Sequence, residues 1–315
     1  MNKNPLVSVI IPVYNRENLI TKSVFSVLNQ SYRNLEVIVI DDNSNDRTKE
    51  RVLEIKDSRL IYHRNRINLG PSKSRNEGIK LSKGELVAFQ DSDDEWYPEK
   101  VEKQINLIIK SSDDTAAVYC GMEFFDFQSG AKIGEDVRKF NFGENFRTGK
   151  NLYTPATVTV MIKKSVLDEV GYFDDSLFAA EDTELAIRVS KKYKYEFVNE
   201  ALVKVTRNHK QLTENVKNYT LAKEIIFNKH KDYLSRGILF ELCKEIANYY
   251  ILKSDYLTAK KYLKYTFGYK FNATTIIQYL TLTIYPSLLY AAYKRKYKGQ
   301  FPHPSKEGQL ISVDE

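Results

Sequence analysis

Cysteine is nearly absent from this 315-residue chain. Cys120 and Cys243 are the only two, each in mixed apolar surroundings and without the spacing of a metal site. A disulfide framework and a thiolate zinc site are thereby excluded, and both residues read as reduced thiols of a cytosolic protein. Long apolar runs are missing as well. The stretch Leu6–Val13 is too short for the apolar core of a signal peptide, and Pro12 interrupts it, so it reads as a first strand. Thr274–Tyr293 is the most apolar segment, but Gln278, several threonines and Pro286 make it too polar for a membrane span. No G-x-G-x-x-G and no G-x-x-x-x-G-K-[ST] occurs, so dinucleotide-binding and P-loop readings lose their main support. Tryptophan occurs once, at Trp96.

What is present is a strand–helix alternation long enough to bury a substantial core, in one large domain or one plus an appendage. The pattern predicts strands at Val7–Val13, Leu35–Ile40, Leu60–His63 and Leu86–Phe89, with helices at Asn18–Gln30, Arg47–Ile55, Pro71–Leu81 and Pro98–Lys110. Leu35–Ile40 is continuously apolar and β-branched, as a strand buried on both faces should be. Strands and helices alternating at this spacing imply an α/β fold with a doubly wound, mostly parallel sheet. Beyond it, Ala117–Phe127 and Thr157–Ile162 read as strands, and Lys164–Val170 and Thr183–Lys192 as helices.

From about Asn215 to Lys298 the pattern is helical, with a turn expected at Ser254-Asp255. The expected division is a domain over 1–212, an all-helical C-terminal region over 213–298, and a disordered tail over 299–315. Charge is shared unevenly across it. Residues 203–315 carry 19 Lys and Arg against 9 Asp and Glu, a balance of +10, whereas residues 1–202 carry 29 against 32, a balance of −3. The apolar segment followed by Lys294-Arg295-Lys296-Tyr297-Lys298 suits a helix lying on an anionic bilayer; a helix packed on its own domain is the alternative. No nucleic-acid module accompanies the basic residues, so nucleic acid is not expected as a partner.

The densest chemical signal is Asp91-Ser92-Asp93-Asp94, where a buried strand runs out into a loop. Carboxylates this close repel one another and raise each other's pKa unless a cation sits among them. Their hard oxygens suit Mg²⁺, Mn²⁺ or Ca²⁺. Taken alone, the cluster reads equally well as an acidic turn. Its neighbours favour the site: ligands of open α/β sheets bind beyond the carboxyl ends of the strands. The first strand ends in Pro12-Val13-Tyr14-Asn15-Arg16 and the second in Asp41-Asp42-Asn43-Ser44, on the same predicted edge. There Tyr14 can flank a flat base, Asp42 can accept its N–H, and Arg75 can reach a phosphate.

At this point the chain resembles the family 2 glycosyltransferases of the GT-A fold. The resemblance rests on Val7–Asn15, Val39–Ser44, Asn68-Leu69-Gly70 with Ser74–Gly78, Asp91–Trp96, and Val170–Asp174 followed by Ala180–Leu185, in order and spacing over about residues 5–210. It implies an inverting transfer of a single sugar from a nucleotide-sugar, usually a UDP-sugar, to an acceptor hydroxyl. Pro12, Tyr14 and Asp42 fall where the family holds the nucleoside, and Arg75 near the base and phosphates. Asp91-Ser92-Asp93 matches the D-x-D motif: Asp93 is expected to contact a divalent metal (Mn²⁺ or Mg²⁺), and Asp91 the ribose or, through water, the metal. Asp182 falls on the catalytic base, with a helix N-cap as its alternative reading. His209 resembles a late histidine that completes the metal site in some members.

Two positions depart from the family pattern: Ala180 stands where a glycine is usual and Ala186 where an aromatic is, which reshapes the expected acceptor pocket. The absence of Q-x-x-R-W and of multiple membrane spans points away from a processive polymerase. The expectation is a cytoplasmic enzyme of cell-surface glycan assembly (capsule, lipopolysaccharide or teichoic acid), acting on a glycan or lipid-linked acceptor. A peripheral place on the inner face of the plasma membrane and an oligomer are both left open. A catalytically silent nucleotide-sugar-binding partner subunit is the rival reading.

Overall fold

The computed structural model describes residues 3–149, 152–207 and 216–296. Along the chain run β1 (Val7–Val13), α1 (Ile20–Leu28), β2 (Leu35–Asp41), α2 (Thr48–Leu53), β3 (Leu60–Arg64), α3 (Pro71–Leu81), β4 (Leu86–Phe89), β5 (Glu95–Trp96) and α4 (Lys100–Lys110). There follow β6 (Thr115–Asp126), β7 (Lys132–Asp136), α5 (Phe142–Thr148), β8 (Val160–Lys163), α6 (Lys164–Val170), α7 (Glu181–Ser190) and β9 (Lys194–Arg207). Five helices close the described chain: α8 (Val216–His230), α9 (Arg236–Leu252), α10 (Tyr256–Tyr269), α11 (Ala273–Ile284) and α12 (Pro286–Lys296). Contacts group the chain into two compact units, Met1–Asn145 with Leu152–Asn208, and Phe146–Asn151 with His209–Glu315.

The first unit is a nine-stranded sheet in the order β3-β2-β1-β4-β8-β6-β9-β5, with β7 pairing β6. Its first four strands are parallel, in a register that sets Val13 against Asp41 and Asp41 against Arg64. β8 then enters antiparallel to both β4 and β6, and β9 returns parallel to β6. This is the α/β, doubly wound sheet of the GT-A type expected from the sequence, with the antiparallel insertion confined to its second half. Strand alternation distributes the core over both faces. Val7, Val9, Ile11, Val37 and Val39 join Ile20 and Val24 of α1 and Val101, Ile105 and Ile108 of α4. Ile10, Ile38, Ile40, Val87 and Phe89 turn the other way, toward Ile79 of α3 and Leu185 and Val189 of α7. Gly78 lets α3 come this close: a Cβ there would sit 2.4 Å from the Ile10 side chain.

Several sequence expectations shift here. Trp96, for which the sequence allowed either a site wall or core packing, is 4% exposed inside the first core cluster, with the Lys100 ammonium 3.6 Å from its ring centroid, so it packs the core. β5, β7 and the 14-residue β9 were not expected. β9 escapes a period-2 reading because its alternation breaks at Val198-Asn199-Glu200, where the pairing to β6 slips between Cys120 and Gly121.

In the second unit, Ser235, Asp255 and Asn272 cap α9, α10 and α11 through their side chains, each accepting an amide three residues on. The turn expected at Ser254-Asp255 is there, with Ser254 at φ 60°. Among the described residues no helix is long and apolar enough to cross a membrane.

Candidate active site

The parallel register places the loops after β1, β2 and β4 on one edge of the sheet. Pro12, Tyr14, Asp42, Arg75, Asp91, Ser92 and Asp93 all line one open cleft there, with Asn68, Gly70, Pro71 and Ser74 completing its wall. These residues come from four separate segments, and every expected donor-side residue is among them. Asn15 and Asn43, at φ 52° and 66°, turn two of the loops through a left-handed conformation that asparagine tolerates. Tyr14 is half exposed at the cleft.

Asp42 is already well engaged. Its Oδ1 accepts from Asn65 Nδ2 (2.7 Å) and from the Leu69 amide (2.8 Å), and its Oδ2 from the Gly70 amide (2.8 Å). A carboxylate has about four acceptor positions, so one is left for a ligand. Gly70, at φ 84°, makes the turn that aims this amide and starts α3 at Pro71. Asp42 thus organises the loop that ends at Arg75's helix.

Arg75 was expected to meet phosphate or base; its actual partners are carboxylates. The buried guanidinium donates from Nη1 to Glu181 Oε1 at 2.8 Å and from Nη2 to Asp91 Oδ1 at 3.0 Å, while its Nε has no hydrogen-bond partner among the described residues. Glu181 in this bridging role is a residue that sequence reasoning missed, because 106 positions separate it from Arg75. Arg16 is another, its Nε lying 3.9 Å from Asp93 Oδ2. The remaining acids of the cluster are strained electrostatically. Burial, then the charge of Asp91, raises the Asp93 pKa. Burial, with Asp91 and Asp93 behind it, pushes Asp94 up to about 9, and Asp94 Oδ1 accepts from the Thr206 amide at 3.1 Å.

Among the described residues no three His, Cys, Asp or Glu side chains converge into a complete metal site. His209 lies outside the described residues. The acids that are present still fit a divalent cation of the Mg²⁺ type, which commonly takes only one or two carboxylates from protein and the rest from substrate phosphates and water. The raised Asp93 and Asp94 mark where positive charge is short.

Asp182 stands apart from that cleft. It opens α7 together with Glu181 and Glu184, where the helix dipole favours negative charge. The helix N-cap is Ala180, not Asp182. Asp182 Oδ1 accepts from the Thr183 amide at 2.7 Å, and no described residue hydrogen-bonds its Oδ2. Burial, then the charge of Glu181, pushes its pKa up to about 6. Its side chain borders a small apolar pocket with Phe89, Val160, Phe173, Tyr195 and Ala186, the last at the position where the family pattern has an aromatic.

Residues 8–171 match the profile described as "Glycosyl transferase family 2". The chain belongs to that family. Among its family 2 relatives, a protein named as an uncharacterized glycosyltransferase of Rickettsia typhi is 31% identical over 268 residues, 78% of this chain and 80% of that one. A shorter likeness, 44% over 107 residues, covers 34% of this chain and 42% of WfgD of Escherichia coli, a UDP-Glc:alpha-D-GlcNAc-diphosphoundecaprenol beta-1,3-glucosyltransferase. Among solved structures, S. aureus TarS 1-349 in complex with UDP superposes with a TM-score of 0.66 at 20% identity, over 98% of this chain and 94% of that one. At that identity the likeness establishes the shared GT-A fold. This family 2 chain spans about half, 55%, of a longer TarS chain.

Proposed function

We propose that this glycosyltransferase moves one sugar, with inversion, from a nucleotide-sugar to a hydroxyl of a cell-surface glycan precursor. The observation that carries the reading is the cleft itself: seven donor-side residues from four segments share it, and Arg75 ties it through Glu181 to the start of Asp182's helix. Pro12, Tyr14 and Asp42 hold the nucleoside, with Tyr14 against the base and the spare acceptor position of Asp42 taking its N–H. Asp91 and Ser92 lie toward the ribose and diphosphate, and Arg75 sits beneath them. The presence of UDP in one TarS complex and UDP-GlcNAc in another supports a UDP-sugar as donor.

A divalent cation, Mg²⁺ or Mn²⁺, held by Asp93 and Asp91 with His209 as a further ligand, would neutralise charge on the leaving diphosphate. The chain's own residues do the rest. Asp182 takes the proton from the acceptor hydroxyl as the new oxygen–carbon bond forms, while the bond from the anomeric carbon to the diphosphate breaks and its electron pair leaves with the nucleotide. The hydroxyl proton becomes acidic only as that bond forms, so the position of Asp182 matters more than its basicity. The acceptor class we infer is a lipid-linked saccharide, of the kind in the name of WfgD. In this reading residues 1–212 form the catalytic domain and residues 213–298 a helical region for acceptor, membrane-surface or oligomer contact, in a cytoplasmic enzyme at the membrane's inner face.

The test is a panel of UDP-, GDP- and TDP-sugars assayed for nucleotide release with and without Mn²⁺. Release from a UDP-sugar that needs Mn²⁺ and is lost in Asp93→Asn supports the reading. Binding of the same donors without any release, with acceptor lipids supplied, would instead make the protein a silent partner subunit.

A further inference from the structure

The outward surface of α11 and α12 has the wrong polarity for a helix pair facing water. A surface helix ordinarily turns its apolar stripe to the core and its polar stripe outward. In α11 the inward positions are Thr275 and Leu282, one heptad apart. Ile277 and Ile284, a heptad apart and about 200° around the helix from them, face out, with Leu280 between. Tyr285 and Leu288 continue the exposed set into α12, and Phe271 precedes it; all six are between 52% and 84% exposed. These side chains are not displaced from a poorly formed core. The inner face is fixed: Leu289 and Tyr293 of α12 are buried, and the Tyr293 hydroxyl donates to Asn248 Oδ1 of α9 at 2.8 Å while accepting from Gln278 of α11.

Charge around this apolar surface has one sign. From Tyr256 to Lys296 the chain carries seven Lys and Arg and no Asp or Glu. Three of the seven, Lys294, Arg295 and Lys296, sit together in the last turn of α12, all exposed. Juxtaposed apolar side chains and cations are what an anionic bilayer binds, the former entering the acyl boundary and the latter meeting lipid phosphates. A second copy of the same face would bring like charges together, which disfavours self-association as its occupant.

We propose that α11 and α12 dock this enzyme on an anionic membrane surface, with Phe271, Ile277, Leu280, Ile284, Tyr285 and Leu288 inserted and Lys294, Arg295 and Lys296 at the headgroups. Docking is independent of the chemistry assigned to the cleft, since release of nucleotide from a soluble donor needs no bilayer. The experiment is co-sedimentation of the full chain with phosphatidylglycerol–phosphatidylcholine vesicles and with pure phosphatidylcholine vesicles, across a salt series.

Binding to the anionic vesicles, weakening as salt rises, is the expected result. Substituting Lys294, Arg295 and Lys296 together by Gln weakens it by about tenfold or more. Leu280→Asp with Ile284→Asp abolishes it while helicity and donor turnover stay intact, both positions being exposed. Equal binding to neutral and anionic vesicles, or binding unchanged by both variants, overturns the proposal. So does a stable dimer in solution that Leu280→Asp with Ile284→Asp dissolves, because a second copy then covers the face.

Discussion

The two acidic segments of the first unit, the loop Asp91–Asp94 and the helix start Glu181–Asp182, carry the same side-chain chemistry in opposite electrostatic settings. At the first, a buried strand delivers three carboxylates into four positions, and burial and mutual repulsion push Asp94 up to about 9 and raise Asp93. The cations in contact, Arg75 on Asp91 and Arg16 at 3.9 Å from Asp93, leave Asp94 without one among the described residues. At the second, Glu181 takes the other half of Arg75, the helix start adds positive potential, and Asp182 rises only to about 6. One segment is therefore short of positive charge, and the other is compensated to the point where its free carboxylate can exchange a proton near neutrality. Under the proposed function, similar sequences of acids would serve as a leaving-group site and as a base through their surroundings, because local environment sets pKa.

The sharpest way to test that division is to remove the base alone. Asp182→Asn keeps size and hydrogen-bonding capacity but cannot accept the proton. Turnover should fall about 10²–10⁴-fold, with nucleotide affinity changed by no more than about threefold. A parallel loss of nucleotide binding, measured by calorimetry, would place Asp182 on the donor side and collapse the distinction.

The next largest effect should come from the residue that joins the two segments. Arg75→Met leaves Asp91 and Glu181 without their shared cation; because the Asp91 side chain is 37% exposed, solvent screening brings the loss below that of a fully buried pair, to about 1–3 kcal/mol. Thermal unfolding should report that loss. Donor affinity should fall with it, while Arg75→Lys, a point charge without the fork, should restore only part of either. If stability were unchanged, the bridge would be an incidental contact and the two segments independent.

How far this comparison could be foreseen differs between its halves. Pro12, Tyr14, Asp42, Asp91, Ser92 and Asp93 were legible, because each sits at the end of a short apolar run and the doubly wound rule sends those ends to one edge, whereas Arg75 lies inside α3. Fully buried strands announce themselves: Leu35–Asp41 is buried at all seven positions. The second half was less readable. β9 loses its polar–apolar alternation at Val198-Asn199-Glu200, where its register to β6 slips, so no clean periodicity runs through it. The Arg75–Glu181 contact spans 106 positions, and nothing local in either segment specifies it. Asp182's alternative reading as an N-cap failed for a backbone reason, since the chain enters α7 two residues earlier, through Ala180.

A smaller effect concerns pH. A base must be deprotonated to act, so turnover should decline as pH falls through about 6, the value to which burial and Glu181 push Asp182. Removing the Glu181 charge removes one cause of the rise. Glu181→Gln should therefore move the acid limb of the kcat/KM profile to lower pH, whatever it does to the maximum rate. A limb that stays in place, or moves up, would mean that a different group controls it.

The smallest expected effect lies at Ala180, where φ 54° and ψ 26° put a residue with a Cβ into the left-handed region. For an L-residue that conformation costs about 1–2 kcal/mol, and glycine adopts it freely. Part of the gain from Ala180→Gly is offset by the greater entropy of glycine in the unfolded chain, so a net stabilisation of about 0.5–1 kcal/mol is expected. In a chain of this size that is a rise in Tm of about 1–4 °C. The activity readout carries more information. Ala180 immediately precedes both Glu181 and Asp182, so a stiff residue held there fixes the direction in which α7 presents them. If the strain serves positioning, Ala180→Gly should gain stability while kcat falls by about two- to fivefold at unchanged donor affinity. Should stability and kcat both rise, the alanine is simply a tolerated departure from glycine, and the direction of Asp182 is set by Arg75 and Thr183 alone.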